Sequence, residues 1–147
     1  MATIRAEISI AVPPERVWHA VHEDLEETRR WAGYIRRATL LDGDVPGPNR
    51  RIRYELDLPG DIQLVLLPQT WDKPKRCAGK FDGGPVEGTW SYTYRPEGEG
   101  THLVYDMDYR MGGFLRFAGG LLQGRYEDGI RQGMVRLKDY LESPTRP

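Results

Sequence analysis

Apolar residues recur along this chain in two periods, and the changes of period divide it into elements. Ile4, Ala6, Ile8, Ile10 and Val12 alternate with Thr3, Arg5, Glu7, Ser9 and Ala11, the period-two pattern of a strand with one buried face. Pro13 and Pro14 stop it. Glu15 to Val21 then predicts a short helix burying Val17, Trp18 and Val21. Asp24 is placed to cap a second one, Leu25 to Ala32, with Glu26 and Glu27 at its positive end, Arg29 and Arg30 near its close, and Gly33 after it. From Tyr34 the period returns to two. Strands are predicted over Tyr34–Leu41, Arg51–Leu58, Ile62–Trp71, Arg76–Asp82, Val86–Tyr94 and Leu103–Tyr109, separated by turn residues such as Pro59-Gly60-Asp61 and the Pro96–Gly100 loop. Arg51–Leu58 splits completely into an apolar and a charged face. Leu64–Leu67 is apolar on both, which predicts a central strand or one covered outside.

The last stretch, Gly112 to Leu141, returns to the helical period: Tyr126, Ile130, Gly133, Met134, Leu137 and Leu141 recur at steps of three and four. Gly119, Gly120, Gly124, Gly129 and Gly133 lie inside this pattern, where each costs about 1 kcal/mol against alanine. Either the facing side needs space, or the helix kinks near Gly119–Gly120.

One strand, two short helices, six strands and a long helix make an α+β order: an antiparallel sheet of about seven strands with its helices segregated. A curved sheet gripping the final helix would enclose a cavity. Residues 1–147 fit one domain. With 21 basic and 22 acidic residues and a net charge of −1, the composition argues against a nucleic-acid partner. The single cysteine, Cys77, forms no internal disulfide, and the start carries no apolar signal region, so a reducing, cytoplasmic setting is expected. The weakly polar run Met111–Gly124 contains Arg116 and is too short for a transmembrane segment. Nothing in the composition decides between a monomer and a homodimer.

Ile8-Ser9-Ile10-Ala11-Val12-Pro13-Pro14-Glu15-Arg16-Val17-Trp18 resembles the usual opening, and Arg136-Leu137-Lys138-Asp139-Tyr140-Leu141-Glu142 the usual close, of the START/Bet v 1-like (SRPBCC) superfamily. That superfamily includes polyketide cyclase/dehydrase and lipid-transport proteins. The resemblance covers nearly the whole chain and implies the helix-grip fold, while leaving activity open. Aromatase/cyclases of this superfamily place a pocket tyrosine at the start of the second strand, which Tyr34 matches, and an arginine on a later strand, where this chain has Gln69. Arg36 would be an inward cation if it shared Tyr34's face.

Tyr54, Trp90, Tyr92, Tyr94, Tyr105 and Tyr109 fall on predicted inward positions, and Phe117, Leu121 and Tyr126 on the helix that faces them. Such an interior suits a hydrophobic or aromatic small molecule whose oxygens need donors; aromatics are also simply favoured in strands. No histidine or carboxylate is predicted to point inward, and Glu127, bordering the inward stripe, is the helix carboxylate to test as a base. His19 and His22 share a helix side, but His102 belongs to an outer face, so neither metal nor cofactor is expected. Cys77 reads as core. The dense arginines Arg29, Arg30, Arg36, Arg37, Arg50, Arg51 and Arg53 read as a solvated face. Two functions follow: a polyketide cyclase/dehydrase-like enzyme using Tyr34 and Glu127, or a non-catalytic carrier of a lipid, quinone or aromatic metabolite.

Overall fold

In the computed structural model residues 2–58, 60–112 and 124–143 are described in full and 115–123 as helix backbone. The chain runs β1 (Ala2–Ile10), α1 (Pro14–Trp18), a π-helical turn (His19–Glu23) and α2 (Leu25–Trp31). It continues with β2 (Ile35–Leu40), β3 (Ile52–Leu56), β4 (Gln63–Asp72), β5 (Arg76–Phe81), β6 (Val86–Glu97), β7 (Gly100–Met111) and α3 (Leu115–Glu142). All seven strands form one antiparallel sheet in the order β1-β7-β6-β5-β4-β3-β2. The first strand therefore pairs with the last, and the short helices carry the chain from one edge of the sheet to the other. Register shifts between Ile35 and Arg37 and between Pro68 and Thr70 bend the sheet, and α3 lies on its concave face.

The alternation read from the sequence sets the two faces. Ile4, Ala6 and Ile10 of β1 are buried with Leu103, Tyr105, Met107 and Tyr109 of β7 and with Trp90 and Tyr94 of β6. Tyr54 and Tyr92 are half-buried and pack on the same core. On α3 the predicted stripe is buried at Tyr126, Ile130, Met134 and Leu137. The helix is tied to β1 where Lys138 Nζ donates to the Ser9 carbonyl at 2.7 Å and Glu142 accepts the Ala11 N–H at 2.8 Å. Leu64 and Leu66 of β4 are buried while Val65 and Leu67 are half-covered, as an interior strand of the sheet should be.

Several expectations shift. The Pro96–Gly100 loop shrinks to Gly98-Glu99, because β6 and β7 pair as far as Glu97 with Gly100. Tyr34 lies in the turn before β2 rather than in the strand. His19 and His22 do not share a side. The π turn, closed by the Asp24 N–H on the His19 carbonyl at 3.2 Å, takes more residues per turn than an α-helix. Residues three apart therefore diverge, leaving His19 exposed and His22 buried. No helix among the described residues is long and apolar enough to cross a membrane.

Two of the helix glycines, Gly129 and Gly133, meet the Tyr34 side chain, and α3 runs unbroken past Gly119–Gly120. A Cβ on Gly129 would stand 3.4 Å from Tyr34 Cβ, and one on Gly133 3.1 Å from Tyr34 Cε1. At Gly124 it would meet nothing within 4 Å.

Candidate functional site

Tyrosines from five elements converge on the concave side of the sheet. Tyr92 on β6 and Tyr105 on β7 are register partners with ring centroids 4.5 Å apart, and Trp90 packs edge-on to Tyr92 at 6.0 Å. Tyr126 of α3 meets Tyr109 at 5.6 Å, and both Tyr105 and Tyr126 direct their hydroxyls at Met107 Sδ, at 3.2 and 3.5 Å. Tyr54 enters from β3, and Tyr34 from the turn that α2 sets. That turn is anchored by Trp31, whose indole donates to the Ala20 carbonyl at 3.0 Å and whose own carbonyl accepts from Arg136 Nε at 3.0 Å.

Burial holds these phenols protonated. It pushes Tyr34 up to about 12 and Tyr54, Tyr92, Tyr94, Tyr105 and Tyr126 above their ordinary value near 10. At neutral pH each is a neutral donor. The hydroxyls of Tyr34, Tyr54 and Tyr92 have no hydrogen-bond partner among the described residues. Tyr109 is different: it donates to Glu127 Oε2 at 2.7 Å, and burial, then this bond and the carboxylate charge, raise it. Glu127 is half-buried, with Arg131 Nη1 at 3.8 Å on its other oxygen. Phe117 and Leu121 lie outside the residues described with side chains.

His22 does point inward, contrary to the sequence reading. It sits among Trp18, Trp71, Tyr92 and Tyr94, and the Tyr94 hydroxyl lies 2.7 Å from its Nε2. Burial pushes it down to about 3, so it is neutral at pH 7. Beside it a recess of about 20 Å³, bordered by Tyr54, Trp71 and Tyr92, has room for one water. The signal that could have found it was aromatic crowding around a π turn, and no spacing rule reads a π turn from sequence.

The remaining candidates stand apart. Gln69 and Arg36 are exposed, Arg36 beside Asp61 at 3.6 Å, so neither supplies an inward cation. Arg51 is bidentate to Asp42, and Arg37 faces Glu55 at 3.7 Å, so much of the arginine-rich region is paired within the chain. Cys77 is fully buried, and burial pushes its thiol up to about 12, the mark of an inert core cysteine.

This architecture recurs in solved structures. TTHA0849 from Thermus thermophilus superposes with a TM-score of 0.81 at 21% identity, covering 99% of this chain and 100% of that one. Ginseng major latex-like protein 151 from Panax ginseng gives 0.74 at 10% identity, over 95% and 96%. DynU16, of the dynemicin biosynthetic locus, gives 0.67 at 20% identity, over 96% of this chain and 47% of its own. At these identities they share the fold. No curated protein matches the sequence. The family model described as polyketide cyclase/dehydrase and lipid transport matches residues 1–142, nearly the full length of this sheet and helix, and the chain belongs to that family.

Proposed function

We propose that this protein takes a hydrophobic or aromatic small molecule bearing oxygen acceptors between its concave sheet and α3, and catalyses its cyclisation or dehydration. The observation that carries the reading is the trio Tyr34, Tyr54 and Tyr92, whose inward hydroxyls have no partner among the described residues. All three side chains are half-buried, and a ligand carbonyl would replace water at each hydroxyl with a hydrogen bond contributing roughly 0.5–1.5 kcal/mol. In this reading Tyr34 polarises the carbonyl, Glu127 takes the proton, and Trp90, Tyr105, Tyr109 and Tyr126 border the ligand. The buried, unpaired Cys77 goes with a cytoplasmic setting.

A second reading, a non-catalytic carrier, is favoured by one feature. Glu127 already accepts from Tyr109, and His22 is neutral with little proton affinity, so among the described residues no uncommitted base faces the three hydroxyls. Both readings need binding. Tryptophan fluorescence should be quenched by titration with neutral polycyclic quinones or hydroxyaromatics, and Tyr54→Phe and Tyr92→Phe should each weaken binding by about 0.5–1.5 kcal/mol. Native mass spectrometry of protein purified without denaturation should reveal a retained small molecule. Failure of every oxygenated aromatic and lipid to bind would end both readings.

A further inference from the structure

The π turn and α2 meet at a polar cluster that the tyrosine-lined interior does not use. His19 Nε2, Asp24 Oδ2 and Glu27 Oε2 face one another, and one ligand-type atom from each residue lies within 4.8 Å of the others. His19 Nε2 is 3.9 Å from Asp24 Oδ2 and 3.7 Å from Glu27 Oε2, too far for hydrogen bonds. Donors around a tetrahedral ion with bonds of about 2.0–2.2 Å stand about 3.4 Å apart. Small side-chain rotations would close the cluster around such an ion.

The other atom of each group is already engaged elsewhere. His19 Nδ1 lies 3.3 Å from Glu23 Oε1, and Lys73 Nζ holds both oxygens of Glu23 at 3.0 Å. Asp24 Oδ1 accepts the Glu27 N–H at 3.1 Å. Glu27 Oε1 takes Arg16 and, at 3.0 Å, the Tyr140 hydroxyl. The Glu27 side chain is only 8% exposed, and its Oε2 makes no hydrogen bond among the described residues. A carboxylate on Nδ1–H fixes the tautomer that leaves the Nε2 lone pair free, the arrangement that supports metal-bound histidines. In the tautomer whose Nδ1–H faces Glu23, three lone pairs converge while their far atoms are held.

We infer that His19, Asp24 and Glu27 form a site for a divalent first-row ion of the Zn2+ type, with its remaining coordination side open to solvent. One imidazole and two carboxylates suit such an ion, and Mg2+ would gain little from the imidazole. The competing account is an ion-pair hub in which protonated His19 bridges the carboxylates without any metal.

Calorimetric titration of the tag-free chain with ZnCl2, and visible absorption with CoCl2, separate the two at pH 7.5. Expected are one saturable Zn2+ per chain, no comparable MgCl2 binding, and a thermal midpoint raised by ZnCl2. His19→Asn should abolish binding. Asp24→Asn should weaken it severely while keeping the helix cap, and Glu23→Gln, which alters only the positioning carboxylate, should weaken it roughly tenfold. Metal-free unfolding curves that match the parent's establish that these variants fold. No saturable Zn2+ binding by the parent, or binding unchanged in folded His19→Asn or Asp24→Asn, overturns the site.

Discussion

The phenol ring of Tyr34 fills the notch that Gly133 leaves on α3: a Cβ on Gly133 would stand 3.1 Å from Tyr34 Cε1. Gly133→Ala therefore trades about 1 kcal/mol of helix propensity against a crowded ring. With Tyr34→Ala the crowding is gone and the full gain should appear. Urea unfolding of the four proteins of this cycle should give a coupling of about 1 kcal/mol or more. Gly129→Ala, at an ordinary 3.4 Å contact, should stabilise. Zero coupling would mean that the ring is not seated against the helix.

Gly88 allows β6 to approach β7 more closely than any side chain would. Its φ is 137°, and a Cβ there would lie 2.0 Å from the Asp108 carbonyl oxygen. Because backbone rather than a mobile side chain is in the way, Gly88→Ala should cost roughly 1–3 kcal/mol, read as a lower urea midpoint with the slope unchanged. An unaltered midpoint would contradict this geometry.

The sequence made the fold legible because period two and period 3.6 are written in side-chain chemistry, and the β7 aromatics fell on the face assigned to them. The site was less so. That Tyr34 needs Gly129 and Gly133 depends on which helix turn docks beside the turn before β2, a tertiary fact that local pattern does not carry. His22 was lost for a different reason: α-helical spacing paired it with His19, and the π turn moved it to the opposite side.

Buried His22 should leave its mark on the pH dependence of stability. Folded, it binds its proton only below about 3, whereas the unfolded chain binds one below about 6.5. Between those values the unfolded state holds more protons. Stability is therefore complete above about 6.5 and falls on acidification by about 1.4 kcal/mol per pH unit until about 3. Between pH 6 and 4.5 the parent should lose about 2 kcal/mol more than His22→Gln, measured by urea unfolding at each pH. Parallel curves would show that His22 protonates within the fold.

Tyr34→Phe and Glu127→Gln together separate an enzyme from a carrier. Phenylalanine keeps the ring seated against Gly133 and removes only the hydroxyl, so the packing that Tyr34 provides should survive. If the hydroxyl acts on charge that develops as the ring closes, turnover falls while affinity for product changes little, because the interaction belongs to the transition state. If the protein only carries its ligand, affinity shifts by about 0.5–1.5 kcal/mol and there is no turnover to lose. Glu127→Gln tests the base separately. Glutamine can still accept from Tyr109, so the 2.7 Å bond has a substitute while proton abstraction does not. An enzyme should lose most of its kcat with both changes. A substrate that cyclises equally fast with parent, Tyr34→Phe and Glu127→Gln would remove both residues from the chemistry, and a rate equal to buffer alone would leave carriage as the function for that molecule.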